Sequence, residues 1–151
     1  MTDSLRLQFK SYMDGTGDLI VEVQYNSFSG NSSACFGEAE LIEFAKKLAS
    51  TFPLPSDTPL TIEGGLWGKS GSGIEQLHVG LQFYPIGSVG RIGCRVLLNT
   101  PVCEHERPES QSSLSVELHT TYEQLGAFAK SLELIAKGSG DKAVLETIGL
   151  T

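Results

Sequence analysis

Leu77-His78-Val79-Gly80-Leu81-Gln82-Phe83-Tyr84 and Arg91-Ile92-Gly93-Cys94-Arg95-Val96-Leu97-Leu98 decide the fold. In the first stretch Leu77, Val79, Leu81 and Phe83 alternate with small or polar residues; in the second Ile92, Cys94, Val96 and Leu98 do the same. A period of two puts one set of side chains on one face of a strand, so each stretch reads as a half-buried strand. Pro85-Ile86-Gly87-Ser88 supplies turn residues between them. Pairing Tyr84 with Val89 sets Leu81 against Ile92, Val79 against Cys94 and Leu77 against Val96. The apolar sets agree in parity, which specifies an antiparallel hairpin. Its outward side then carries Gln76, His78, Gln82 and Arg95, with His78 facing Arg95 and Gln82 facing Arg91.

The same logic extends in both directions. Leu5, Leu7 and Phe9 alternate with Arg6, Gln8 and Lys10, and after Asp14-Gly15-Thr16-Gly17-Asp18 the pattern resumes with Leu19, Val21, Val23 and Tyr25. This predicts a second hairpin, with Met13 opposite Leu19, Phe9 opposite Val23 and Lys10 opposite Glu22. A Ser/Gly/Asn turn from Ser27 to Asn31 leads to a short apolar piece, Ala34-Cys35-Phe36. Leu41, Phe44, Ala45, Leu48 and Phe52 then recur at helical spacing after Gly37, and Pro53 and Pro55 stop the helix. Leu60 and Ile62 suggest a strand, and Leu114, Val116 and Leu118 another, which places Glu117 and His119 outward. Thr121 and Gln124 form a capping box for a second helix, Tyr122 to Lys137, ended by Gly138. The tail from Asp141 is either a short helix or a docked strand.

Together these segments predict a single α+β domain over 1–151: one antiparallel β-sheet of about six to seven strands with two amphipathic helices on one face. Leu41, Phe44, Ala45, Lys46 and Leu48 recur as Leu125, Phe128, Ala129, Lys130 and Leu132, all 84 residues on. That repetition raises the prospect of an internal strand–strand–helix duplication.

Composition bounds the function. The 151 residues carry 18 acidic and 11 basic side chains, a net charge of −7, which disfavours phosphate-rich partners and leaves no nucleic-acid face. No apolar run has the length of a membrane span, and Met1–Lys10 has no hydrophobic signal region, so the expected setting is cytoplasmic with no membrane partner. The three cysteines, Cys35, Cys94 and Cys103, are then reduced thiols.

Motifs are few. Gly68-Lys69-Ser70 resembles the end of a phosphate-binding loop, but the required first glycine is replaced by Glu63, and a strand follows where the motif needs a helix. Cys103-Glu104-His105-Glu106 is rich in ligand atoms but has no second cluster to close a metal site. No nucleophile motif is present, and Cys94 falls on a core position. The expectation is therefore no catalytic residues, no cofactor and no metal. What remains is a polar outward surface made of Gln76, His78, Gln82, Arg95, Glu117 and His119, joined by Trp67 in the glycine-rich loop as an aromatic anchor. Each has a plainer reading, as a solvated sheet face and as a ring folded over the core edge.

Phe36-Gly37, Glu40-Leu41-Ile42-Glu43-Phe44-Ala45-Lys46-Lys47-Leu48, Gly90-Arg91-Ile92-Gly93-Cys94-Arg95-Val96 and Val116-Glu117-Leu118 followed by Tyr122 to Ala129 give a pattern that resembles the small bacterial proteins grouped with WapI-type immunity proteins. The resemblance covers most of the chain and consists of core positions. It implies an α+β protein that binds and neutralises a cognate secreted toxin, and it transfers no binding residue. With the acidic balance, it makes a basic toxin domain the expected protein partner. Two other readings stand beside it: a small-molecule binding domain or enzyme with a cleft between sheet and helices, and a homodimer or larger assembly built through an exposed edge strand.

Overall fold

The computed structural model describes residues 3–67, 73–103 and 105–148, apart from the side chain of Trp67. Gly68-Lys69-Ser70 and Glu104 lie outside the described residues. In chain order the elements are β1 (Ser4–Ser11), β2 (Thr16–Tyr25), β3 (Phe28–Gly37), α1 (Glu38–Ser50), β4 (Leu60–Trp67), β5 (Ile74–Ile86), β6 (Arg91–Asn99), β7 (Ser113–Thr121), α2 (Tyr122–Ala136) and β8 (Ala143–Glu146).

The protein is α+β with antiparallel pairing throughout, but the eight described strands form two four-stranded sheets instead of one larger sheet. Their orders are β3-β2-β1-β8 and β4-β5-β6-β7. The reason lies in β3. Its inward residues do not pair beside the second sheet; they pack across it. A β-carbon at Gly30 would sit 3.1 Å from Leu114 Cδ2 on β7, and one at Gly64 on β4 would sit 2.6 Å from Phe36 Cζ. Between these, Ser32 Oγ donates to the Asn99 carbonyl on β6 at 2.9 Å. Gly64, Val79, Leu98 and Leu114 are one register row across the second sheet, so β3 runs over its strands. Small residues permit that approach. They also hide β3 from a hydrophobic pattern, which is why only Ala34-Cys35-Phe36 was legible and Ser27–Asn31 read as a turn.

The topology repeats. Three strands in a meander, a helix and a final strand occur twice, as β1-β2-β3-α1-β4 and β5-β6-β7-α2-β8. Each repeat gives its last strand to the other's sheet: β4 pairs with β5, and β8 pairs with β1. The tail is thus a docked strand, with Ala143 and Leu145 fully buried.

Both expected hairpins form, each displaced by four residues in register. Phe9 pairs with Leu19, not Val23, and Leu81 with Val96, not Ile92. Lys10 accordingly faces Asp18, and Glu22 pairs with Arg6 at 3.8 Å. The turns are responsible. In the first, Met13 and Gly15 adopt positive φ, and the Asp14 carboxylate accepts from the Thr16 N–H and hydroxyl at 3.0 and 2.7 Å. In the second, Gly87 and Gly90 take positive φ, and β5 continues to Ile86. An even displacement leaves inward and outward faces unchanged, so the core assignment survives the register error.

The helices bury most of the stripes their spacing predicts: Leu41, Phe44, Ala45 and Leu48 in α1; Leu125, Phe128, Ala129, Leu132, Ile135 and Ala136 in α2. Phe52 is the exception: α1 ends at Ser50, and the Phe52 ring is 76% exposed, edge-on to Tyr122 at 4.7 Å. They meet on the inner face of the second sheet at Phe83, whose ring lies 6.0 Å from Phe44 and 6.1 Å from Phe128. Among the described residues no helix is long and apolar enough to cross a membrane.

Candidate functional site

The outer face of β5-β6-β7 holds a connected polar network. Gln82, Arg95 and Glu117 occupy one cross-strand row, and Tyr84, Gly93 and His119 the next. Gly93 has a structural duty here. A β-carbon on it would lie 2.5 Å from Tyr84 Cε2, so only glycine lets the Tyr84 ring lie across the strand. That position brings the Tyr84 hydroxyl to Glu117 Oε2, to which it donates at 2.5 Å.

Glu117 is the hub. Its Oε1 stands 3.0 Å from His119 Nε2, and Arg95 approaches Oε2 at 3.8 Å. The Tyr84 hydrogen bond, followed by that of His119 and the nearby Arg95 charge, lowers the Glu117 pKa despite partial burial. Burial and the same hydrogen bond push the Tyr84 hydroxyl up. Arg91 Nη1 lies 3.4 Å from His119 Nδ1. Because a guanidinium only donates, the tautomer that satisfies both contacts carries its proton on Nε2 and directs it to Glu117. Beside this network the tip of the β2–β3 hairpin places Tyr25 and Phe28 as aromatic walls of a pocket of about 280 Å³, with Arg95, Glu117 and His119 at its base.

The structure therefore divides the expected surface. Gln82, Arg95, Glu117 and His119 come together, joined by Tyr84 and Arg91. Gln76 and His78 do not join them. The four-residue displacement of the β5–β6 register makes Gln82, not His78, the partner of Arg95; on its other side, with Gly64 paired to Val79 and Gly65 to Leu77, His78 is the extra residue of a bulge against β4. His78 Nε2 instead stands 2.7 Å from Gln76 Oε1, and burial lowers its pKa. The Gln76 amide pairs both ways with the backbone of Val102, at 3.0 and 2.9 Å. These groups line a separate groove of about 610 Å³ with Leu66, Pro101, Val102 and Pro108. The side chain of Trp67 lies outside the described residues.

The third feature lies where a cleft between sheet and helices is expected, but its acidic lining is not legible in the sequence. Between α1 and the β4–β5 edge runs a groove of about 890 Å³, floored by Phe44 and Ile62. Glu40 and Glu43 of α1, Glu63 of β4 and Glu75 of β5 line it, against Lys47 as the single ammonium among the described lining residues. Gly73 and Ile74, at the end of the glycine-rich stretch, close one side. The signal lay in four glutamates on three elements, and only the docking of α1 beside β4 unites them.

Glu117 is engaged by three partners, and the Cys94 thiol is fully buried, with burial raising its pKa. The Cys103 thiol is raised by its hydrogen bond to Glu106. Among the described residues no three His, Cys, Asp or Glu side chains converge on a metal position. Comparison with family models, curated proteins and solved structures gives no match.

Proposed function

We propose that this protein is a non-catalytic cytoplasmic binding protein of the immunity type, which neutralises a cognate basic toxin by covering its active surface. The observation that carries the reading is the groove beside α1, where among the described residues four carboxylates face one ammonium, in a chain of net charge −7. Such a groove concentrates negative potential and steers a cationic segment of the partner into place. The network of Tyr84, Arg95, Glu117 and His119, with the aromatic walls Tyr25 and Phe28, supplies a second contact surface of the aromatic-plus-arginine kind that anchors interfaces. The resemblance to WapI-type immunity proteins points the same way.

Co-expression with the product of the adjacent gene tests this. A co-purifying complex and protection from that product's toxicity are expected. Glu43→Lys together with Glu63→Lys should weaken the complex and steepen its loss at low salt, where unscreened repulsion is greatest. Absence of both complex and protection overturns the proposal.

The groove at Gln76 and His78 favours a second reading, a small-molecule binding domain. Its apolar walls and two fixed polar groups are the usual composition of a ligand pocket. A thermal-shift screen separates the two: a ligand at about 100 times its dissociation constant adds about 2.7 kcal/mol, and a flat response counts against this reading.

A further inference from the structure

We propose that β3 is a self-association edge, through which two copies of this chain pair antiparallel about a twofold axis and merge their β3-β2-β1-β8 sheets. The inference does not rest on the function proposed above.

It comes from a contrast among the four sheet edges. Soluble proteins defend exposed edges with charge, proline, bulges or brevity. β4 carries Glu63 and register shifts at Gly64/Gly65 and Leu66/Trp67. β7 carries Glu117 and His119, and its His119 carbonyl accepts from the Ile148 N–H at 2.8 Å. β8 is four residues long and ends on Glu146. β3 has none of these devices. Its ten residues, Phe-Ser-Gly-Asn-Ser-Ser-Ala-Cys-Phe-Gly, include no charge and no proline, and they pair with β2 without a break in register. Ser29, Asn31, Ser33 and Cys35 are exposed along it. Among the described residues no backbone–backbone hydrogen bond reaches β3 except those with β2.

Charge and symmetry identify the occupant as a second copy. Two chains of net charge −7 repel, and the ten uncharged residues of β3 are where they can approach closest. A twofold axis also sets the start of one strand beside the end of the other. Phe28, 60% exposed, stands at the start. Tyr12 and Met13, 50% and 91% exposed, stand in the turn at the other end, which is tied to β3 by the Thr16–Gly37 pair and the Glu38 N–H to Gly15 carbonyl bond. Each apolar end would therefore cover the other, with small polar side chains between them, an arrangement that is its own complement.

Sedimentation equilibrium of the full chain should give twice the 16.2 kDa chain mass at the higher concentrations. Ser33→Lys or Asn31→Lys sets each new charge near its own symmetry mate and should weaken dimerisation about tenfold, with thermal unfolding reporting that the monomer is intact. Should a lysine variant fail to fold, cross-linking decides. With Cys35 and Cys103 changed to Ser, Ser33→Cys or Asn31→Cys should form an interchain disulfide under mild oxidation, while Gln8→Cys, on β1 of the same sheet, should not. A single-chain mass at every concentration, a dimer indifferent to both lysines, or no cross-link from either edge cysteine overturns the proposal.

Discussion

The two β-β-β-α-β repeats of this protein share a frame and differ in what they display. Their helices superimpose in sequence at a spacing of 84: Leu41, Phe44, Ala45 and Leu48 bury the same stripe as Leu125, Phe128, Ala129 and Leu132. At the same spacing β3 matches β7, and there the likeness ends. Phe36 stacks against Gly64 of the donated strand β4, whereas its counterpart Thr120 is fully buried and donates to the Glu146 carbonyl at the end of the donated strand β8 at 2.8 Å. Outward, Ser33 and Cys35 occupy the positions that Glu117 and His119 hold in the second repeat. Core positions answer to packing, which both repeats need equally. Outward positions answer to whatever touches them, and only the second repeat carries a charged network there.

The comparison breaks most visibly at the residue the two repeats share. Phe83 contacts the aromatic ring of each helix and is wholly buried. Phe83→Ala should cost about 3–5 kcal/mol in denaturant unfolding. Phe44→Ala and Phe128→Ala should each cost less, because each severs one helix from it. Equal losses for all three would mean that Phe83 does not join the repeats.

The seams should differ in kind. Gly64→Ala would place a methyl 2.6 Å from Phe36 Cζ and 3.0 Å from Ala34 Cβ, and overpacking there should cost about 1–3 kcal/mol. At the equivalent seam, Thr120→Val keeps the volume and removes one hydrogen bond, at about 1 kcal/mol. Reversal of that order in equilibrium unfolding would show the apolar seam to be the more tolerant of the two.

The outward network makes a pH-dependent contribution through Glu117. Glu117 has a lowered folded-state pKa, so its contribution is present above the unfolded carboxylate value and is lost as pH falls through the folded value. Tyr84→Phe removes the largest cause, so the Glu117 pKa should rise toward its ordinary value in a carboxyl NMR titration. The stability difference from the parent should shrink as the solution is acidified. A difference that persists at low pH would assign the tyrosine a packing role alone.

Smallest is the helix start. α2 begins at Thr121, whose hydroxyl accepts from Gln124 N–H at 3.2 Å, while α1 begins at Gly37, where only the Glu40 side chain closes the cap by accepting from the Gly37 N–H at 3.3 Å. Gly37 has ordinary extended φ, and nothing lies closer than 3.8 Å to a β-carbon there. Gly37→Ser should therefore stabilise the protein by a few tenths of a kcal/mol, roughly the capping difference between the two residues.

Much of the fold was legible from periodicity. Both helices, their buried stripes, the Thr121 cap and the inward faces of both hairpins follow from spacing, because a period of two or 3.6 survives any later arrangement. Turn chemistry was less legible. Asp14 reads as the first residue of a loop, yet its carboxylate caps the turn from within, and the register moved with it. Of the candidate surface, Arg95, Glu117 and His119 follow from parity alone, while Tyr84 passed unnoticed because an aromatic on a strand reads as packing. His78 does not face Arg95 because the turn shifts the β5–β6 register by four residues, a change that alternation alone does not record.

By itself, the sequence determined local structure and facing: which residues are helical, which are extended, and which side chains turn inward. Those depend on backbone sterics and on burial of apolar side chains, both readable over a few residues. Tertiary structure alone decided that the strands divide into two sheets, that each repeat lends its last strand to the other, and that Glu40, Glu43, Glu63 and Glu75 share one groove. Such choices turn on close approach, the room left by Gly30, Ser32 and Gly64 for β3 to cross the second sheet. A small residue records the space it leaves, not the partner that fills it.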